Sequence, residues 1–182
     1  MKVIGVVGLP ASGKGEFSKI AAEMGIPVIV MGDMIRKTVQ ERGLDPTDAN
    51  LGAIANQLRA EQGMDAIAYL CVPEIQRMTA PIVLVDGIRG DAEVTVFRRI
   101  FPYFTLISID SSFETRLERI KVRGRSDDFV SADKLRARDM REQGWGLQNA
   151  MESADIHIMN EKTLGEFSRE VHRILKQTGC DS

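Results

Sequence analysis

The chain is short of the residues that would point to several whole classes of protein. Of its 182 residues only two are cysteine, Cys71 and Cys180, and they match no metal-ligand spacing. A disulfide framework and a Cys/His metal centre are therefore not encoded, and the compartment reads as reducing. No apolar run is long enough to span a bilayer, and no signal-peptide core precedes the first strand-like segment. A net charge of −2 gives no global basic field for DNA or an anionic membrane. Internal repeats and low-complexity linkers are absent as well. With 27% charged and 43% hydrophobic residues, the composition is that of a soluble, cytoplasmic protein long enough for one domain with a sizeable core.

Against that background one octapeptide stands out. Gly8, Leu9, Pro10, Ala11, Ser12, Gly13, Lys14 and Gly15 complete a G-x-x-x-x-G-K frame. Its backbone N–H groups can wrap a triphosphate while the lysine reaches the outer phosphates. Gly15 stands where most such loops carry Ser or Thr, whose hydroxyl commonly ligates Mg²⁺. The setting agrees with the mechanism. Lys2 to Val7 is a β-branched apolar run suited to a buried parallel strand. After the loop, Phe17, Ile20, Ala21 and Met24 recur at helical spacing up to Gly25. A helix starting there places its partial positive charge beneath the phosphates.

The rest of the chain continues the alternation. Strands are predicted at about 26–31, 81–85, 104–109 and 154–159. Helices are predicted at about 34–42, 49–62, 65–78, 92–101, 113–122, 132–143 and 164–176. Alternation of this kind implies an α/β architecture, a five-stranded parallel sheet with helices on both faces. Ligands of such sheets bind at the carboxyl ends of the strands, where the glycine loop, Asp33, Asp86 and Asp110 all fall.

Several side chains there suit phosphate chemistry. Lys14 can neutralise charge on a phosphoryl group in transfer. Asp86, between an apolar strand and Gly87, can hold Mg²⁺ directly or through water, or can act as a turn cap. Arg116, Arg119, Lys121, Arg123 and Arg125 crowd into ten residues opposed there only by Glu118, and Arg136, Arg138 and Arg141 follow. The guanidinium fork matches phosphate oxygens, and Arg119, Arg123, Arg125 and Arg138 are read as phosphate ligands rather than a solvated face. Nucleic-acid binding is a poorer reading of the same patch, because the aromatics nearby are only Phe129 and Trp145. Arg36 and Arg89 lie just past strand ends and would overlook a second pocket, which suggests a donor and an acceptor that are both phosphorylated. Trp145 suits packing better than stacking on a base. His157, inside a strand, suits a structural role better than a catalytic one.

These motifs resemble the adenylate kinase family of nucleoside monophosphate kinases. The octapeptide is similar to that family's G-x-P-G-x-G-K-G loop, including the glycine after lysine. Gly32-Asp-Met-Ile-Arg36 resembles its G-D-x-x-R segment, whose arginine grips the acceptor phosphate, and Val85-Asp-Gly-Ile-Arg89 resembles its L-D-G-F-P-R strand end. Arg119 with Arg123, Arg125-Ser-Asp-Asp128, and Arg138 resemble its lid arginines. Segments 21–29 and 154–160 resemble dephospho-coenzyme A kinase instead. The whole is most similar to uncharacterised, mainly archaeal P-loop nucleotide kinases that share features of both. The chain departs from the adenylate kinase pattern at Ala11, where that family has glycine, and at Glu16, where it has threonine.

The resemblance implies a single P-loop kinase domain over 1–182, with acceptor-binding helices at about 33–79 and a short lid at about 116–138. It implies ATP with Mg²⁺, and transfer of the γ-phosphoryl group to a nucleoside monophosphate. In that reading Lys14 and the loop amides hold the donor, and Asp86, with Asp33 as a second candidate, holds hydrated Mg²⁺. Arg119 stacks on the donor base. Asp33, Arg36, Arg89 and, more weakly, Arg59 serve the acceptor, and Arg123, Arg125 and Arg138 close on the phosphates. Two alternatives stay open: a dephospho-coenzyme A kinase, with Asp33 as base, and an ATP-binding sensor with little transfer, for which Gly15 and Glu16 argue. The sequence sets neither the acceptor's base nor the oligomeric state.

Overall fold

The computed structural model describes residues 1–123 and 131–180. In chain order the elements are β1 (Lys2–Val7), α1 (Lys14–Glu23), β2 (Val28–Val30), α2 (Met31–Glu41), α3 (Asp48–Gln62), α4 (Ala66–Gln76), β3 (Ile82–Ile88), α5 (Asp91–Ile100), β4 (Phe104–Asp110), α6 (Phe113–Arg123), α7 (Ala132–Gln143), α8 (Leu147–Glu152), β5 (Ile156–Met159) and α9 (Leu164–Cys180). The five strands form one all-parallel sheet in the order β2-β3-β1-β4-β5. Parallel neighbours need crossover connections, which here are helical and cover both faces.

The alternation of side chains along β1 builds two cores. Val3 and Val7 join one apolar cluster with Val83, Val85 and Leu106 under α2 to α5 and α8. Ile4 and Val6 join the other with Leu84, Ile107, Ile109 and Ile158 against Phe17 of α1 and Phe167, Val171 and Ile174 of α9. Cys71 lies in the first cluster, where burial pushes its thiol up to about 12 and makes it a core residue rather than a reactive one. Among the described residues no helix is long and apolar enough to cross a membrane.

Four elements differ from the sequence expectation, each for a local reason. The second strand is only three residues long, because Pro27 has no N–H to give to a ladder. Helix α2 follows at once, so Gly32 and Asp33 occupy its first turn instead of a turn beyond the strand. β3 runs on through Asp86 and Gly87 to Ile88 because of a bulge. Val6 pairs with Asp86 and Val7 with Ile88, leaving Gly87 as the extra residue at φ 91°. Helix α8, too short to show a period, was not anticipated. His157 is exposed on the edge strand β5, a surface residue. The expected ligands Arg125 and the side chain of Arg123 lie outside the described residues, as do Asp128 and Phe129.

Gly5 sits at a close approach within the sheet. A Cβ there would lie 2.6 Å from Ile88 Cδ1 and 2.7 Å from Phe104 Cζ. The Gly5→Ala variant is expected to lose about 1–3 kcal/mol through overpacking, read as a lowered urea midpoint; an unchanged midpoint would contradict this packing.

Candidate functional site

The loop between β1 and α1 is shaped by backbone that only small residues permit. A Cβ on Gly8 would meet Ile109 O at 2.3 Å, and one on Gly13, at φ 120°, would meet Asn160 Nδ2 at 2.4 Å. Ala11 holds a left-handed φ of 62°, the conformation that glycine would adopt freely and that costs alanine about 1–2 kcal/mol. The loop's carbonyls are gripped from behind. Asn160 Nδ2 donates to Ser12 O at 2.8 Å, Arg116 Nη1 to Pro10 O at 3.2 Å and Arg119 Nη1 to Ser12 O at 3.2 Å. Carbonyls held outward leave a loop of this kind with its amides toward the ligand side. Arg116 is itself fixed, buried and bidentate to Asp139 of α7 at 2.9 and 2.7 Å, so this member of the arginine run is a strut.

Lys14 Nζ donates to Gly8 O at 2.5 Å and Leu9 O at 2.9 Å, spanning the mouth of the loop. Burial, followed by the Arg89 guanidinium, lowers its pKa from the ordinary 10.5 to about 8. Asp86 is buried beside it, and Ser18 Oγ donates to Oδ2 at 2.8 Å, which orients the carboxylate. No group of three or more His, Cys, Asp or Glu side chains able to hold a metal occurs among the described residues. One oriented carboxylate next to a polyphosphate loop fits Mg²⁺, which keeps several waters and takes its other oxygens from phosphate. Gly15 is exposed, with nothing within 4 Å of where a Cβ would stand.

Two cavities meet here. The larger, about 1490 Å³ including its mouth, is lined by the loop residues Pro10, Ala11, Gly13, Lys14, Gly15 and Glu16, with Asp86 and Arg119. The smaller, about 690 Å³, has apolar walls from Met31, Ile35, Leu51, Ala55, Ile67 and Trp145, and charged walls that include Arg59 and Arg141. Gly32, Arg36, Gly87, Arg89 and Arg138 line both and form the passage between them. The bulge at Gly87 therefore bears directly on the site, because it seats Asp86 in the first cavity and Arg89 at the junction.

The sequence-predicted residues are only partly brought together. Lys14, Asp86 and Arg119 share the larger cavity, and Arg36, Arg89 and Arg138 stand at the junction. Asp33 lines neither cavity; it is exposed and accepts from Arg36 Nη1 at 2.5 Å. Arg59 is buried, its Nη2 donating to Glu93 Oε1 at 2.8 Å and its guanidinium 4.2 Å from the Trp145 ring centroid. Trp145 Nε1 donates to Asn56 Oδ1 at 2.9 Å, so the tryptophan is a fixed wall of the smaller cavity.

Sequence reasoning missed the carboxylates. Glu142 of α7 is buried; its Oε1 pairs with Arg89 Nη1 and accepts from Arg138 Nε at 3.0 Å. Burial alone would raise its pKa, but Arg89, Arg138 and Lys14 together hold it below the usual carboxylate range. Arg141 and Arg138 also reach Asp48 of α3, at 3.1 and 4.0 Å, tying α7 to the acceptor-side helices. The spacing of Arg138 and Glu142, four apart on one helix, was the available signal.

An AAA-domain family model matches residues 4–143. The chain is similar along nearly its whole length to archaeal proteins named UPF0200. It is 61% identical over 179 residues to that of Methanoculleus marisnigri, covering 98% of both chains. The protein of Methanoregula boonei is 63% identical over 171 residues, covering 94% of both, and that of Methanosarcina acetivorans is 52% identical over 176, covering 96% of this chain and 94% of the other. Solved structures share the fold. TT1252 from Thermus thermophilus superposes with a TM-score of 0.68 at 17% identity, covering 97% of both chains. A shikimate kinase from Aquifex aeolicus gives 0.54 at 17% identity over 99% of both, and a gluconokinase from Sinorhizobium meliloti gives 0.57 at 18% over 100% of this chain and 97% of that one. The architecture is thus the α/β P-loop kinase-like fold, and at these identities the likeness is one of fold.

The lowered pKa of Lys14 has a measurable consequence. Protonated Lys14 is disfavoured in the folded chain below pH about 8, and the penalty disappears as pH rises to 10.5, where the unfolded lysine also loses its proton. Without nucleotide, the wild type is expected to gain stability relative to Lys14→Met over that interval, by roughly 1–2 kcal/mol after discounting for partial exposure. Comparing the two variants cancels the opposing titration of Cys71. Denaturant midpoints that keep a constant difference from pH 7.5 to 10.5 would contradict the burial of this charge.

Proposed function

The chain belongs to the UPF0200 family and carries an AAA domain over residues 4–143, and from that premise we propose that it moves the γ-phosphoryl group of ATP to the phosphate of a nucleoside monophosphate. The observation that carries this reading is the pair of joined cavities. One is lined by the phosphate loop, and the other has apolar walls suited to a base. Between them stand Arg36, Arg89 and Arg138. Two anionic ligands that must meet end to end need cations at the point of contact, and a kinase with a phosphorylated acceptor is the enzyme that brings two such ligands together.

In this proposal the loop amides and Lys14 hold the β- and γ-phosphates. Asp86 would hold Mg²⁺ through water, and the ion would supply positive charge to the phosphates. An oxygen of the acceptor phosphate attacks the γ-phosphorus in line as the bond to the β-bridging oxygen breaks, giving ADP and a nucleoside diphosphate. The nucleophile is already ionised, so no general base is needed. Arg89 and Arg138 would leave Glu142 for the phosphates as charge develops between the ligands. Arg119 borders the donor side, where it would lie against the base, while Arg36, and Arg59 less directly, serve the acceptor. The domain assignment belongs to the same proposal: one P-loop kinase domain, with α2 to α4 on the acceptor side and α6 and α7 spanning the donor side. Two of its fold neighbours, a shikimate kinase and a gluconokinase, support a small-molecule kinase in general terms.

One observation favours a second reading, an ATP-binding module with little turnover. Glu16 lines the donor cavity as a partly exposed carboxylate, 3.9 Å from Lys19 Nζ. A negative charge there opposes the triphosphate unless Lys19 or Mg²⁺ offsets it. The dephospho-coenzyme A reading has less support, because its hydroxyl acceptor needs a base and Asp33 lines neither cavity.

Labelled ATP and Mg²⁺ with a panel of AMP, CMP, UMP, GMP and dephospho-coenzyme A separate these readings. Transfer is expected to a monophosphate, to vanish on chelation of the metal, and to be lost in Lys14→Ala. Transfer only to dephospho-coenzyme A, or ATP binding with no acceptor turnover, would sink the proposal, as would a fully active Lys14→Ala enzyme.

A further inference from the structure

The carboxylate of Glu142 is buried beside the passage that joins the two cavities. Its side chain is 1% exposed. Oε1 pairs with Arg89 Nη1 and accepts from Arg138 Nε at 3.0 Å. Oε2 is buried as well and has no hydrogen-bond partner among the described residues. A carboxylate cut off from water in this way stays ionised only while its cations stay with it. Those cations have a second use. Arg89 and Arg138 line both cavities and Lys14 lines the larger one, and the reaction proposed above recruits all three to phosphate oxygens.

The other charges near Glu142 cannot replace them. Asp86 of β3 acts on Lys14 and Arg89 as a further anion. From α3, Asp48 is paired with Arg141 at 3.1 Å, and Arg59 with Glu93 of α5 at 2.8 Å. Arg36 of α2 is paired with Asp33. Each of these pairs has little net charge to offer. In the free protein Arg89, Arg138 and Lys14 outweigh burial and hold the Glu142 carboxyl below the usual range, although burial is the largest single influence and acts upward. Phosphates that neutralise the three cations leave burial unopposed, and their own negative charge acts in the same direction.

We propose that Glu142 takes up a proton from solvent when donor and acceptor phosphates enter the passage, and that it is a neutral carboxyl while both are bound. The uptake rests on the monophosphate-kinase reading above and adds a proton to the ligands which that reading brings together. Once neutral, Glu142 no longer competes for Arg89 and Arg138. Its O–H becomes a donor for a phosphate oxygen that the carboxylate would repel. A carboxylate that kept its charge would either hold the guanidiniums back or be left as an unpaired charge in the wall of the smaller cavity. Glu142 is thus a positioning residue, which aims two arginines in the free protein and releases them in the complex.

Calorimetry in buffers of different ionisation enthalpy counts the proton. At about pH 6.5 Lys14, with a pKa of about 8, already carries its own proton in the free wild type. The β,γ-methylene analogue of ATP with Mg²⁺ is titrated into the protein, followed by AMP, CMP, UMP or GMP. Summed over both steps, the wild type is expected to take up at least ~0.5 proton more than Glu142→Gln, because a buried glutamate without a partner can titrate as high as about 8–9. Titration of the ligands themselves is common to both proteins and cancels. Equal uptake with a monophosphate bound would overturn the proton inference while leaving the kinase reading standing. If the analogue binds and no monophosphate does, both fail. Should Glu142→Gln not fold, infrared difference spectra of the wild type carry the test. The band of a protonated, buried carboxyl is expected to appear when both ligands bind, and its absence would rule the uptake out.

Discussion

A single buried carboxylate, Glu142, governs how the cations at the junction of the two cavities are arranged. Arg89 and Arg138 both converge on its Oε1, and Lys14 feels its charge from the phosphate loop. Like charges crowded this closely in a shielded space would repel one another and shift or splay. With Glu142 among them, two guanidiniums stay pointed at one place. Burial, and after it the Arg89 guanidinium, outweighs the pull of Glu142 on the lysine, and its pKa is pushed down to about 8. Phosphate oxygens carry more charge than one carboxylate and more acceptor positions. In the proposed reaction the arginines are thus held in a geometry that a phosphoryl group would take over, with their directions fixed before it arrives.

The sheet sets where this happens. Gly5 lets β1 lie close against its neighbours, the bulge at Gly87 turns β3 so that Asp86 and Arg89 serve adjoining cavities, and the loop after β1 ends in the first turn of α1. Helix α7 then closes the arrangement from outside. Arg116 ties it through Asp139 to the phosphate loop, and Arg141 ties it through Asp48 to α3.

Much of this was legible in the sequence because it follows from local rules. The glycine frame, the β-branched strands and the 3.6-residue periods give the alternating fold and the phosphate loop directly. Arg36 and Arg89 were legible as cations near strand ends, and Arg138 as a member of the arginine run on a helix. What the sequence did not give are pairings made across the fold. Nothing local marks Glu93 as the partner of Arg59, thirty-four residues away, or Arg116 as a strut rather than a ligand. Asp33 stands apart from both cavities for a short-range reason: the early start of α2 puts it on the exposed first turn, paired with Arg36. Ala11 shows the opposite case, a loop position where the backbone keeps a glycine's conformation although the side chain has changed.

The proposed function requires the two cavities to be one continuous site for two phosphorylated ligands meeting between Arg36, Arg89 and Arg138. A dinucleoside oligophosphate that joins the donor and acceptor through a shared phosphate chain tests it directly by titration calorimetry. One such molecule per chain is expected, bound at least ~100-fold more tightly than ATP alone because the second half binds at the effective concentration of a tether. Binding no tighter than ATP, or two molecules per chain, would contradict it.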